Sequence, residues 1–523
     1  MDKKDIITIL QIGSHSWEGM ADLPEHVNWY FLDTNDLPAF VESPEVMTTW
    51  FLTDEEIKKK ESLQFTALVL TDKDYGPELL ELDAIIPPYA VFYNRNDHPS
   101  SSSTQLFLNQ KYYQAISLEN PTETMAFLSK VLFTGQYGSK YHINDFAIAE
   151  DLQQKSYFKG HYYLAIEASY GLHFRPIGSM RYNHPFKADR ILTIWWELMS
   201  DESVDMMINV QLIQSGTAKS ILKEWIIEGE DLEKPFDLDY PEAGYVSITL
   251  LARGYGAMKV GPLHFRDGRA GLGEFILGGK RYADASGQEF MYYFEPGDLK
   301  PPLNVYFSGY RSAEGFEGYF MMKKMGAPFL LICDPRLEGG AFYIGSPSFE
   351  QAIPRVINES LKQLGFSNKE LILSGLSMGT YGALYYASYL LPHAIIVGKP
   401  LINLGTMAAN LQLKRPDEFA TSLDLLQLVE GDLSDNSIKA LNQHFWNAFE
   451  RADLSQTLLA VAYMKNDDYD IEAYHDLIAY ASDKKPKIIG KGWIGRHNDN
   501  SGAITKWFLA QYDSIMKKDF QRE

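Results

Sequence analysis

Gly375-Leu376-Ser377-Met378-Gly379 places a serine between two glycines, after the apolar run Leu371–Ser374 and before a segment containing Gly382 and Ala383. A serine held this way can act as a nucleophile. A strand that turns so sharply into a helix brings the positions two before and two after the serine into collision, so both must lack a side chain. The hydroxyl then stands above the sheet edge at a helix N-terminus, where developing negative charge is stabilised. Alone, Gly-x-Ser-x-Gly is a weak pattern in a chain with 39 glycines. The strand before it and the small-residue helix start after it separate it from a plain glycine-rich turn.

A serine hydroxyl at its ordinary pKa needs a base, and the base needs an acid to orient it. In the α/β-hydrolase arrangement the chain order is Ser, then Asp or Glu, then His. Four histidines follow Ser377: His393, His444, His475 and His497. His497 lies in a loop between the last apolar strand, Lys487–Ile489, and a closing helix over Ala503–Met516, which is where that fold keeps its base. His393 and His444 precede any suitable acid, and His475 shares one short helix with the acidic cluster, so these three read as surface or packing residues. The acid should follow the strand Leu458–Tyr463, where Asp467, Asp468 and Asp470 stand; Asp467 is favoured, with Asp468 next. Two backbone N–H groups must meet the oxyanion. Met378, directly after the nucleophile, supplies one, and Tyr310, in the Ser308-Gly309-Tyr310-Arg311 loop after Leu303–Phe307, suits the other, although a tight turn would look the same.

The elements needed to carry these residues are legible from residue 300 onward. Leu303–Phe307, Phe329–Cys333, Leu371–Ser374, Ala394–Val397, Leu458–Tyr463 and Lys487–Ile489 read as short apolar strands. Helical stretches such as Phe349–Leu364 and Tyr381–Leu391 lie between them, which predicts a doubly wound α/β domain over 300–523. Leu401–Gln456 looks mostly helical and suits a cap over the site. Gly490-x-Gly492-x-x-Gly495 matches a dinucleotide fingerprint, but no βαβ unit fits after it. Its glycines better suit the loop that delivers His497.

Two further regions precede this one. Residues 1–150 alternate strands (Ile6–Ile12, Val27–Leu32, Ala67–Leu70, Tyr89–Tyr93) with helical stretches such as Asp54–Ser62, predicting a small α/β domain with a parallel sheet. Gly13-Ser14-His15-Ser16 after its first strand is either a ligand loop or a bare turn. Residues 155–295 are rich in Ile, Val, Thr, Tyr and Trp. The runs His161–Ala168, Arg190–Leu198, Met206–Ile213, Ser220–Ile227, Tyr245–Leu251 and Lys259–Phe265, the last two parted by a turn at Gly254–Gly256, predict a jelly-roll-like β-sandwich resembling carbohydrate-binding modules. Trp195, Trp196 and Trp225 are expected in its core more than on a sugar-stacking surface.

Composition closes off several functions. The chain has 523 residues, and 48 Lys+Arg against 69 Asp+Glu leave a net charge of -21, which argues against binding nucleic acid or anionic lipid. The one cysteine, Cys333, allows neither an internal disulfide nor a CxxC metal site, and no His/Glu constellation has metal-ligand spacing, so no metal and no bound cofactor are expected. Neither a signal peptide nor a run of about 18 apolar residues is evident, predicting a cytoplasmic protein without a transmembrane anchor.

The segments ILSGLSMGTYGALYY, YMKNDDYD and WIGRHND, together with the three-part plan, resemble the second of the accessory Sec system protein families of Gram-positive bacteria. That resemblance implies a cytoplasmic protein working with two companion accessory Sec proteins and a dedicated Sec ATPase in export of serine-rich-repeat glycoprotein adhesins. It also implies a Ser–acid–His site, carried over as Ser377, Asp467 and His497, that O-acetylates N-acetylglucosamine on the adhesin. The motif itself specifies only acyl transfer, with an acyl donor such as acetyl-CoA. A carbohydrate esterase, or a scaffold whose serine site is secondary, stays open beside it.

Overall fold

Ile9 and Leu10 are neighbours on the first strand and both are fully buried, so that strand is covered on both faces. The computed structural model of the chain describes residues 6–42, 65–217, 220–414, 421–484 and 486–522. The helix expected over Asp54–Ser62 lies outside them. The chain forms two compact units, one of 1–136 with 188–191 and 267–279, the other of 137–187, 192–266 and 280–523.

In the first unit, β1 (Ile7–Gly13), β2 (Val27–Asp33), β3 (Ala67–Leu70), β4 (Val91–Asn94) and β5 (Gln114–Ile116) make a parallel sheet ordered β2-β1-β3-β4-β5. Alternation along the strands sends Ile7, Ile9 and Val69 into one apolar cluster and Leu10, Ile12 and Leu70 into another. The Gly13–Ser16 segment is tied down internally. Ser14 donates its N–H and its hydroxyl to Asp72 Oδ1, and buried Gln11 donates to the His15 carbonyl while accepting from the Trp17 N–H.

The second unit contains two sheets. Ten strands form the first: β6 (Gly138–Tyr141), β7 (Phe146–Ile148), β8 (Ser156–Lys159), β9 (Tyr163–Met180), β10 (His184–Phe186), β11 (Ile191–Ser200), β12 (Val204–Gln214), β13 (Ile221–Glu228), β14 (Phe236–Leu238) and β15 (Gly244–Gly268). They enclose one apolar core with Trp196 inside it and Trp225 packed against it; Trp195 is also buried, beneath the Arg281 guanidinium. The segments Tyr245–Leu251 and Lys259–Phe265 belong to a single strand, β15, and the expected turn at Gly254–Gly256 is a kink within it. Gly254 has φ +100, and a Cβ there would lie 2.0 Å from the Ser203 carbonyl oxygen. Close backbone approach, not chain reversal, is what demands glycine here.

The other sheet has eight strands: β16 (Lys280–Ala283), β17 (Glu289–Glu295), β18 (Leu303–Phe307), β19 (Phe329–Cys333), β20 (Leu371–Leu376), β21 (Ala394–Gly398), β22 (Leu458–Met464) and β23 (Lys487–Trp493). Their order is β16-β17-β19-β18-β20-β21-β22-β23, parallel from β19 to β23 with β16 and β17 antiparallel at one edge. The central strands β18 and β21 are buried at every residue, as strands covered on both faces must be. Between β21 and β22 stand the helices Leu404–Lys414, Thr421–Glu430 and Asp435–Phe449. Among the described residues no helix is long and apolar enough to cross a membrane.

Candidate active site

The parallel register brings the carboxyl ends of β18, β20, β21, β22 and β23 to one edge of the sheet, so the loop after each strand opens on the same side. At the end of β20 the chain reverses at Ser377, which adopts φ +52 and enters the helix Gly379–Leu390 two residues later. Its N–H donates to the Gly398 carbonyl of β21 at 2.9 Å. A Cβ on Gly375 would come within 2.3 Å of the Gly379 oxygen, so the strand and the helix start leave no room for a side chain there.

Ser377 Oγ lies 2.8 Å from His497 Nε2. On the other side of the ring, His497 Nδ1 lies 2.9 Å from Asp467 Oδ2 and 3.2 Å from Oδ1. His497 is 2% exposed and Asp467 6%, so the contact between ring and carboxylate is shielded from water. Asp467 is itself oriented by the N–H groups of Tyr469 and Asp470, which donate to its Oδ1 at 2.9 and 3.3 Å. The Tyr469 ring packs on the imidazole with centroids 4.5 Å apart.

The three aspartates of the loop after β22 do different things. Asp467 faces the imidazole. Asp468 accepts from the backbone N–H of His497 at 3.0 Å and so fixes the loop that carries the ring. Asp470 accepts from the N–H groups of Ile402 and Asn403 at 2.8 and 2.7 Å, tying this loop to the one after β21. Burial pushes the Asp470 carboxyl up in pKa, against the pull of those bonds. The other histidines lie elsewhere: His393 pairs with Asp519, His444 stacks on Tyr385 beside Glu350, and His475 sits beside Tyr474. Gly490 and Gly492 of β23 lie under the rings of Tyr474 and Tyr463, and Gly495, at φ +139, turns the chain toward His497.

Met378 is buried at the start of the Gly379–Leu390 helix, where backbone N–H groups have no partner within the helix. Beside it runs the loop after β18: a Cβ on Gly309 would lie 3.2 Å from the Leu376 oxygen. The Gly309 N–H is engaged by Glu317 Oε2 at 2.6 Å, and the Tyr310 ring rests on Gly339. Residue patterns did not single out Glu317, nor Lys399, which is 7% exposed at φ +59 after β21 and donates to Ser501 Oγ at 2.9 Å. Burial pushes the Lys399 ammonium down in pKa, while Asp467 and Asp499 oppose that shift. A lysine at a strand end carries no motif, so only the fold reveals this one. Among the described residues no group of three or more His, Cys, Asp or Glu could hold a metal ion.

A family model described as "Asp2: Accessory Sec system GspB-transporter" matches residues 7–522. The chain belongs to this accessory Sec system family. The accessory Sec system protein Asp2 of Staphylococcus aureus (strain NCTC 8325 / PS 47) is 39% identical over 518 residues, 98% of this chain and 97% of the relative. Its counterpart from Streptococcus gordonii is 39% identical over 521 residues, 99% and 100% of the two chains. A solved structure of the Glycosylation Associate Protein (Gap123) complex from Streptococcus agalactiae contains a chain 44% identical, matching over 100% of both chains with a TM-score of 0.92. The family match therefore spans both compact units and all three sheets, not the serine site alone.

Proposed function

We propose that this family member is a serine-dependent acyltransferase within the accessory export system. It O-acetylates N-acetylglucosamine on serine-rich-repeat adhesins in the cytoplasm, alongside two companion accessory Sec proteins and the accessory Sec ATPase. One observation carries the chemical part: Ser377 Oγ, His497 and Asp467 stand in hydrogen-bonding succession at the carboxyl edge of a parallel sheet. The strand order and the Gly375/Gly379 turn support an α/β-hydrolase reading of the eight-stranded sheet, and the ten-stranded sheet supports a jelly-roll-like sandwich beside it. Its relatives, accessory Sec system proteins and a chain of the Glycosylation Associate Protein (Gap123) complex, support the setting and the companions.

His497 Nε2 takes the Ser377 proton as Oγ attacks the acyl carbonyl of a donor such as acetyl-CoA; Asp467 keeps the Nδ1 proton in place and stabilises the imidazolium. The oxyanion meets the N–H groups of Met378 and Tyr310, the Gly309 N–H being spent on Glu317. Collapse breaks the bond to the leaving group, which departs with the proton from His497. In the second half a sugar hydroxyl gives its proton to His497 and attacks the acyl-serine; the bond to Oγ then breaks, Oγ takes the proton back from His497, and the sugar ester leaves.

Transfer to water in place of a sugar would make the protein a carbohydrate esterase. A scaffold role in export also draws support, from a family match that covers far more chain than the serine site needs. The test is Ser377→Ala with acetyl donor and glycosylated adhesin: acetate on the glycan should disappear while export persists. Acetylation that survives the substitution sinks the acyltransferase reading. Acetate released without an acceptor favours the esterase, and loss of export with acetylation removes the independent scaffold.

A further inference from the structure

The loop from Ser308 to Gly318 joins β18 to the helix Tyr319–Lys323 and contains no regular element. Its first residues stand beside the nucleophile, because Phe307 pairs with Gly375 in adjacent parallel strands. Near its base the loop is fixed locally: Gly309 donates to Glu317, and Glu317 donates its N–H to Ser308 Oγ at 3.0 Å. The far end is held differently. Glu314 enters a buried cluster of charged side chains from the ten-stranded sheet.

Glu314 is 3% exposed. Its Oε1 lies 2.5 Å from His264 Nδ1 and 3.6 Å from Lys140 Nζ, its Oε2 accepts from Arg266 Nε at 2.8 Å, and its backbone N–H donates to the Gly138 carbonyl at 2.9 Å. His264 and Arg266 sit two residues apart on β15 and therefore face the same side. The other ring nitrogen of His264 lies 2.8 Å from Glu197 Oε1 on β11. A carboxylate at each nitrogen favours a proton on both. Burial alone would lower its pKa, but Glu314 and Glu197 hold it above the ordinary value. Arg266 passes the network on to Glu289 of β17, which also takes Arg281.

Buried ion clusters contribute little net stability compared with apolar packing of the same volume, so stability alone is a poor reason for this one. What the charges supply is a fixed address for one carboxylate, and that carboxylate belongs to the loop beside Ser377. We propose that Glu314 is a positioning residue for acyl transfer: clamped by His264 and Arg266 on the ten-stranded sheet, it sets the loop that presents Tyr310 to the oxyanion. This rests on the acyl-transfer reading above. It gives the ten-stranded sheet a part in turnover that needs no ligand bound to that sheet.

The test uses the full chain with p-nitrophenyl acetate as acyl donor and N-acetylglucosamine as acceptor, followed by release of p-nitrophenolate. Glu314→Gln should lower kcat by about 10- to 100-fold, the cost of a misplaced oxyanion donor, while KM stays within about two-fold. The pH profile of kcat/KM should not move. Glu197→Gln is the control: it removes the other carboxylate from the same imidazole without touching the loop, and kcat should stay within about three-fold of the parent. Equal losses in both variants, or full kcat in folded Glu314→Gln, overturns the positioning role. Should Glu314→Gln fail to fold, Glu314→Asp keeps the charge and shortens the reach by one methylene, with the same fall in kcat expected and unchanged kcat overturning the idea. A parent protein with no Ser377-dependent turnover would instead remove the acyl-transfer reading and the positioning role with it.

Discussion

Gly379 lies so close to Phe307 that a Cβ on it would sit 2.0 Å from the Phe307 carbonyl oxygen. The contact joins the first residue of the helix after the nucleophile to the last residue of β18, and backbone on both sides leaves nothing flexible to yield. The glycine thus sets how near the Ser308–Tyr310 loop can come to Ser377. Gly379→Ala should destabilise the protein by about 1–3 kcal/mol or more, the usual cost of an overpacked site, and urea unfolding will measure it. A folded variant of parental stability would mean that the strand and helix can part without penalty.

Asp467 and Asp468 should separate cleanly, although they are adjacent. Asp467→Asn leaves the imidazole without its anion and permits the wrong tautomer, so kcat for acyl transfer should fall on the order of 10³- to 10⁴-fold. Asp468 accepts from the backbone N–H of His497, and Asp468→Asn keeps an acceptor at that point. A loss of less than about ten-fold is expected there, read in the same steady-state assay.

At low pH, Glu289 reports on the buried charge cluster. Burial would raise its carboxyl, but Arg266 and Arg281 hold it down to about 2 from an ordinary 4.5. A depressed carboxyl contributes stability above its unfolded value and loses it as pH falls through the folded one. The destabilisation caused by Glu289→Gln should therefore be complete above pH 4.5 and shrink between 4.5 and about 2, followed by urea midpoints across that range. A gap between parent and variant that stays constant with pH would contradict this.

His264 works in the opposite direction. Its value is raised, held by Glu314 and Glu197 with Arg266 opposing, so its contribution is full below the unfolded value near 6.5 and is lost as pH rises through the folded one. Parent protein should lose stability on the alkaline side of 6.5 relative to His264→Gln, whose side chain does not titrate. Parallel pH profiles for the two proteins would count against a protonated ring.

Ser377 and His497 were legible because their chemistry carries its own geometry: two glycines around one, a strand and a closing helix around the other. The choice among Asp467, Asp468 and Asp470 was narrower than spacing can resolve, since three residues in one loop differ only in where their side chains point. Gly254–Gly256 looked like a turn because glycines mark both reversals and close approaches, and only the partner strand tells which. The Glu314 cluster left no signal at all. His264 and Arg266 are scattered polar residues in β-rich sequence, and they acquire meaning only when the strands bring them to a loop about 50 residues away.

Serine and base are separated by 120 residues, and the last strand, β23, comes between them. A ribosome adding about 5–20 residues per second needs roughly 6–24 seconds to cover that distance. Through this interval the nascent chain holds Ser377 without the histidine that the proposed acyl transfer needs. On the acyl-transfer reading, Ser377 therefore stays without its base until β23 has been made.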